Sequence, residues 1–183
     1  MLACAANSVL VIVDLQERVV AVMFPAERAG VFRNVRILLE TATRMGIPIL
    51  VTEQYPQGLG PTATQILEMV PEGTRRLERT SFSCASTETF SKALEAKGGT
   101  QVILAGIESH LCILQSALEL QAVRQGVFVV EDACCSRNPA HHANAMHRLR
   151  AAGVVVANTE SVVFEWLRDA RHEHFSAVSA LVR

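Results

Sequence analysis

The run Val9-Leu-Val-Ile-Val13, opened by Ser8 and stopped by Asp14, constrains this chain more than any other feature. A strand with one wet face alternates apolar and polar residues. An uninterrupted apolar run instead marks a strand buried on both faces, as in a parallel sheet covered by helices on either side. The residues that follow have the complementary pattern. From Val31, the positions Val35, Leu38, Leu39, Ala42 and Met45 recur at helical spacing, Gly46 stands where a C-terminal cap belongs, and Ile47 to Thr52 forms a second strand.

The alternation returns in the second half. Gln101 to Ala105 reads as a strand, and Leu111, Leu114, Ala117, Leu118 and Ala122 as a helical stripe that runs to about Arg124 and ends at Gly126. Val127 to Val130 is a strand, Ala143, Met146, Leu149 and Ala152 a helix up to Gly153, and Val154 to Ala157 a strand. Short helices over Ser161 to Arg168 and His174 to Leu181 close the chain. Between Tyr55 and Thr80, Pro56, Gly58, Gly60, Pro61, Pro71 and Gly73 break every period. This stretch reads as a loop, a short helix near Thr64 to Met69 and a strand near Arg76 to Thr80. The expected class is α/β: a three-layer αβα fold around a doubly wound, parallel six-stranded sheet. The expected strand order is 3-2-1-4-5-6, which the alternation alone does not fix.

At 183 residues and 50% hydrophobic content the chain supports one domain, spanning 1–183. Lysine and arginine total 17 against 18 acidic residues, so no long-range field favours nucleic acid or an anionic membrane, and a small molecule is the expected partner. The first apolar run is too short to span a bilayer, and no export signal is read. Five cysteines without Cys-x-x-Cys spacing imply reduced thiols and a cytoplasmic setting. A mean hydropathy of +0.25 implies apolar surface that a homo-oligomer would cover.

In such sheets, ligands bind beyond the carboxyl ends of the strands, where strand order reverses. Asp14 lies at one such end and Cys112 just past another, so the expected order makes them face one cleft. Cys112 falls in the first turn of a helix, where free N–H groups and the helix dipole lower a thiol pKa. The plainer alternatives are a packed thiol and a capping or solvated carboxylate. No pair of the six histidines has the i, i+4 spacing of a helical zinc site. There is no phosphate loop, no G-x-G-x-x-G and no G-x-S-x-G elbow, so no cofactor is expected.

Four segments, taken in order, resemble the isochorismatase-like cysteine hydrolases: Val11 to Gln16 (VIVDLQ), Val51 to Gly60 (VTEQYPQGLG), Glu78 to Ser83 (ERTSFS) and Ala105 to Cys112 (AGIESHLC). The second is especially similar to the isochorismatase domain-containing proteins. The resemblance implies a catalytic triad of aspartate, lysine and cysteine, matched here by Asp14 and Cys112, with Arg79 where the family has lysine. It implies a cis peptide at Ile107-Glu108, an oxyanion hole formed by the amides of Glu108 and Cys112, and substrate contacts from Gln16, Tyr55, Phe82 and Ser109. One branch of the superfamily binds a metal after the second strand. Here that stretch is Glu53-Gln54-Tyr55 without histidine, so no metal is expected. The implied activity is hydrolysis of a small amide or related C–N substrate through a Cys112 thiolate. The alternatives are a catalytically silent protein binding a metabolite or partner, which Arg79 favours, and a redox protein in which Cys84 partners Cys112.

Overall fold

The computed structural model describes residues 1–123 and 126–183. Its strands are β1 (Ser8–Val13), β2 (Ile49–Gln54), β3 (Arg76–Arg79), β4 (Gln101–Ile107), β5 (Gly126–Cys135) and β6 (Val155–Ala157). All pair in parallel in one sheet of order β3-β2-β1-β4-β5-β6. The helices are α1 (Glu17–Ala21), α2 (Pro25–Arg44), α3 (Pro56–Leu59), α4 (Thr64–Leu67), α5 (Glu88–Ala96), α6 (Leu114–Val123), α7 (Pro139–Ala151), α8 (Thr159–Leu167) and α9 (Phe175–Leu181).

The period of two in a strand sends alternate residues of β1 to opposite faces. Leu10 and Ile12 pack with Val35, Leu38 and Leu39 of α2 and with Val162 and Trp166 of α8. Val9, Val11 and Val13 pack with Phe90 and Leu94 of α5, Ala117 and Leu120 of α6, and Met146 and Leu149 of α7. The three-layer, doubly wound architecture and its strand order are therefore as expected, with β1 and β4 adjacent at the point where the order reverses.

Several boundaries differ from the sequence reading. The second strand starts at Ile49, not Ile47, because the Ile47 amide closes the end of α2 onto the Ala42 carbonyl and Pro48 has no amide to offer the sheet. Gly126 opens β5 rather than capping α6, and the expected helix end at Arg124 lies outside the described residues. β5 continues through Glu131 and Asp132 to Cys135, bulging where the pairing shifts between Leu104 and Gly106. At the bulge Glu131 reaches Arg150, while Asp132 accepts from the amide and hydroxyl of Thr159 at 2.8 Å each. Helix α5 was not read from the sequence, although Thr87 caps it by accepting from the Phe90 amide. Helix α2 begins at Pro25 and α7 at Pro139, each with proline in the first turn. Among the described residues no helix is long and apolar enough to cross a membrane.

Candidate active site

Three strands deliver the site. Val13, the last residue of β1, pairs with Thr52 of β2 on one side and Gly106 of β4 on the other. The chain then turns at Asp14, which adopts φ 52° and is 2% exposed. Asp is among the few residues that tolerate this left-handed conformation. Arg79 ends β3, two strands away, paired in register with Gln54.

The Arg79 guanidinium crosses above β2 to reach Asp14, its Nη2 donating to Asp14 Oδ2 at 2.6 Å. The two side chains are 1% and 3% exposed. The other donors are also engaged: Nε bonds Cys84 Sγ at 3.3 Å and Nη1 bonds the Ser81 carbonyl. The second Asp14 oxygen, Oδ1, accepts from the Thr52 hydroxyl at 3.0 Å. Burial holds the Asp14 carboxyl above its ordinary value, against the opposing pull of Arg79.

Cys112 completes the group, its thiol interacting with both the Asp14 carboxylate and the Arg79 guanidinium. The Ile107-Glu108 peptide bond leading to it is cis. Cys112 does not sit in the first turn of an α-helix, as the sequence reading expected. It lies in a π-helical turn, Ser109–Ile113, that feeds into α6. The expected lowering of its pKa is overturned as well: burial and the neighbouring Asp14 carboxylate push the thiol well up, and Arg79 only partly offsets them.

Above the sulfur opens a cleft of about 400 Å³, within the range that accepts a small organic ligand. Asp14, Ile107, Glu108 and Cys112 form part of its wall, and Phe82 lines it as the resemblance implied. The other substrate positions suggested by the sequence have different work. Gln16 is fully buried, donating from Nε2 to the carbonyls of Gln54 (3.0 Å) and Gly60 (2.7 Å) and accepting the Gln54 amide at 2.7 Å. Ser109 is fully buried against His142, its Oγ 2.8 Å from Nδ1. Tyr55 is half exposed, with its ring beside Gly58. The wall is instead built by Val19, Val22, Leu59 and Leu111, with Arg18 and Arg137. Arg137 is ion-paired through Nε to Glu108 Oε1 at 3.2 Å.

Among the described residues no three His, Cys, Asp or Glu side chains are grouped to hold a metal ion. Glu53, the next-to-last residue of β2, is 3% exposed and accepts from the Thr62 amide and hydroxyl at 2.7 Å each. All five cysteines are free thiols.

Comparison with known proteins bears on the family and the fold. The chain is 37% identical to isochorismatase domain-containing protein 2 of Danio rerio over 177 residues, covering 96% of this chain and 87% of that protein. Its fold matches the structure of MAR1 ribonuclease from Caenorhabditis elegans with a TM-score of 0.92 and 30% identity, covering 100% of this chain and 92% of that one. It also matches YcaC from Pseudomonas aeruginosa, solved with hexane-2,5-diol and covalent acrylamide, with a TM-score of 0.88 and 28% identity over 98% and 91% of the two chains. The isochorismatase domain model matches residues 8–161, and the chain belongs to that family.

Proposed function

We propose that this protein is a thiol-dependent hydrolase of a small amide or related C–N substrate, with Cys112 as nucleophile, Asp14 as base and Arg79 as the fixed cation. One observation carries the reading: a thiol lines the same ligand-sized cleft as Asp14, whose carboxylate is held in a buried ion pair with Arg79. Such a pair is not needed for packing, and isolated buried pairs add little stability over apolar replacements.

In the proposed cycle the Asp14 carboxylate accepts the thiol proton as Cys112 Sγ attacks the carbonyl carbon. The carbonyl oxygen takes up the electron pair, stabilised by the amides of Glu108 and Cys112. The pair returns, the C–N bond breaks, and the departing nitrogen receives the proton from Asp14, leaving a thioester. Asp14 then takes a proton from water, the hydroxide adds to the thioester, and the acid leaves as Cys112 regains its proton. A raised carboxyl suits this role, because a base whose affinity for protons approaches the thiol's shortens the uphill transfer.

The apolar wall of Val19, Val22, Leu59, Phe82 and Leu111 favours a substrate with an aliphatic or flat body. Arg18 and Arg137 stand at the same cleft, Arg137 already paired with Glu108, so among the described residues Arg18 is the cation left for an anionic end of the substrate. A homo-oligomer belongs to the same proposal, since Val22 and Phe82 on the cleft wall, together with Phe24 and Tyr55, are exposed large apolar side chains. The test is a screen of amides, ureides and carbamoyl compounds, each with and without a carboxylate, against a Cys112→Ala control. An RNA arm belongs in the screen because of the relative named a ribonuclease, although a cleft of this size and a net charge of −1 favour a small molecule. Turnover of an amide that vanishes in Cys112→Ala supports the reading. Ligand-induced stabilisation with no turnover in the whole screen would support the silent alternative.

A further inference from the structure

Arg79 and Asp14 belong to a closed ring of hydrogen bonds that includes two residues outside the proposed triad. Arg79 Nε donates to Cys84 Sγ at 3.3 Å, and the Cys84 thiol donates to Thr52 Oγ1 at 3.5 Å. The Thr52 hydroxyl donates to Asp14 Oδ1 at 3.0 Å, and Arg79 Nη2 closes the ring on Asp14 Oδ2 at 2.6 Å. Every donor in the circuit has one acceptor, and no direction conflicts. Burial keeps the Cys84 thiol protonated, as its place in the ring requires, since a thiolate has no proton to give Thr52.

We propose that Cys84 and Thr52 are positioning residues, holding the Arg79 guanidinium edge-on to Asp14 and fixing the carboxylate so that it presents itself to Cys112. A guanidinium has a planar, rigid fork, so fixing Nε and Nη1 determines where Nη2 points. Cys84 supplies the first constraint, and its own backbone amide is anchored to Ser116 Oγ of α6 at 2.9 Å. Ser116 lies one turn beyond Cys112, so the segment aiming the cation is tied to the element carrying the sulfur. Thr52 fixes the opposite edge of the carboxylate from the adjacent strand. This also gives Cys84 a role that needs no second thiol chemistry: fully buried, it works as an acceptor and donor of hydrogen bonds.

The proposal rests on the hydrolase reading, so its test uses a readout that exists without a known substrate: the alkylation rate of Cys112 by iodoacetamide across pH, followed by peptide mapping. Cys84→Ala leaves Nε without an acceptor, the guanidinium loosens, and its hold on the Asp14 carboxylate weakens. The acid limb of the alkylation profile is expected to move up by about one pH unit, which is about a tenfold loss of rate on that limb. Thr52→Val, nearly isosteric, is expected to move the limb the same way by removing a hydrogen bond to the charged carboxylate. Cys84→Ser keeps both an acceptor and a donor, and is expected to return the limb to the wild-type position. A role in packing alone predicts a lower melting temperature in Cys84→Ala and Cys84→Ser alike, with no displacement of the limb. If Cys112 alkylates in wild type and neither Cys84→Ala nor Thr52→Val shifts its profile, the positioning role is overturned while the hydrolase reading stands. If Cys112 is inert in the folded wild-type protein, the hydrolase reading itself fails and this inference with it. Should Cys84→Ala not fold, the shift in Thr52→Val and its absence in Cys84→Ser decide the matter.

Discussion

Gly106 lies so close to Val13 that a Cβ on it would stand 2.0 Å from the Val13 carbonyl oxygen. Its φ of 135° is one that side-chain-bearing residues rarely adopt. The contact draws β4 against β1 at the level where Asp14 and Cys112 face each other. Gly106→Ala is therefore expected to cost at least about 3 kcal/mol, because the clash is with backbone that has nowhere to move. Gly153→Ala, at φ 82° with nothing within 4 Å of the added carbon, should cost about 1 kcal/mol. Chemical denaturation of the two variants measures the difference, and equal costs would dismiss the close approach as a constraint.

Asp14→Asn is expected to abolish turnover, since an amide cannot accept the thiol proton. It also strands the buried Arg79 charge, so a stability loss of about 3–5 kcal/mol accompanies it. The position of Asp14 in the sequence shows only the first of these effects. Circular dichroism at low temperature, where the variant is still folded, separates lost chemistry from lost structure. Full activity in that folded protein would remove Asp14 from the mechanism.

At Arg79 the two effects of charge and shape come apart. Arg79→Lys keeps the cation and is expected to retain activity within about tenfold, while Arg79→Met should lose on the order of a hundredfold or more. Steady-state kinetics on whichever amide the screen identifies reports both. A methionine variant as active as wild type would show that the cation has no part in the reaction.

The pH dependence follows from the sign of the Asp14 shift. Its carboxyl is held up by burial, so the ionised base is lost, as pH falls, at a higher pH than an exposed carboxylate would show. The acid limb of kcat/KM is accordingly expected above the ordinary carboxylate range. In Arg79→Met the opposing pull disappears and the limb should move higher still. An acid limb within the ordinary range would contradict the assignment.

Chelation offers a simple control. With Glu53 engaged by Thr62 and no histidine beside it, EDTA is expected to leave turnover unchanged, and elemental analysis should find less than one metal ion per chain. Loss of activity on chelation that is restored by added zinc would overturn the metal-free mechanism.

The sheet was legible because burial on both faces writes itself as uninterrupted apolar runs, and every strand but β3, whose Arg76-Leu-Glu-Arg79 alternates exposed and buried residues, overlaps such a run. What failed was the detail that tertiary partners decide. β5 passes through Glu131 and Asp132, whose charges look like a strand's end until Arg150 and Thr159 are seen to satisfy them. Helix α5 carried a signal that went unread: Thr87 at the cap, then Phe90 and Leu94 four residues apart. Asp14 and Cys112 stood out by their places at strand ends and again by resemblance, Arg79 by resemblance alone, and no local pattern could have shown that Arg79 spans two strands to reach Asp14. The cleft wall was missed for a related reason. Val19 and Val22 belong to a short helical stretch with no clear period, and nothing nearby in sequence says that Leu59 or Arg137 will stand opposite them.

The buried Gln16 ties together the backbone at both ends of one short excursion, holding Gln54 on one side and Gly60 on the other. Tyr55 to Leu59 lie between those anchors, and the contacts that hold them are to main-chain atoms. The Tyr55 amide also donates to the Arg79 carbonyl at 2.7 Å and the Gly58 carbonyl accepts from Arg18 Nη1 at 2.6 Å, so the length of the excursion is tied to the strand end that carries Arg79 while its outward side chains are not. Leu59 brings that segment to the cleft, so its side chains can vary at constant length while the main-chain ties stay in place. Substitutions that keep the length of the excursion therefore reach the cleft through one side chain, whereas insertions or deletions would pull on the end of β3.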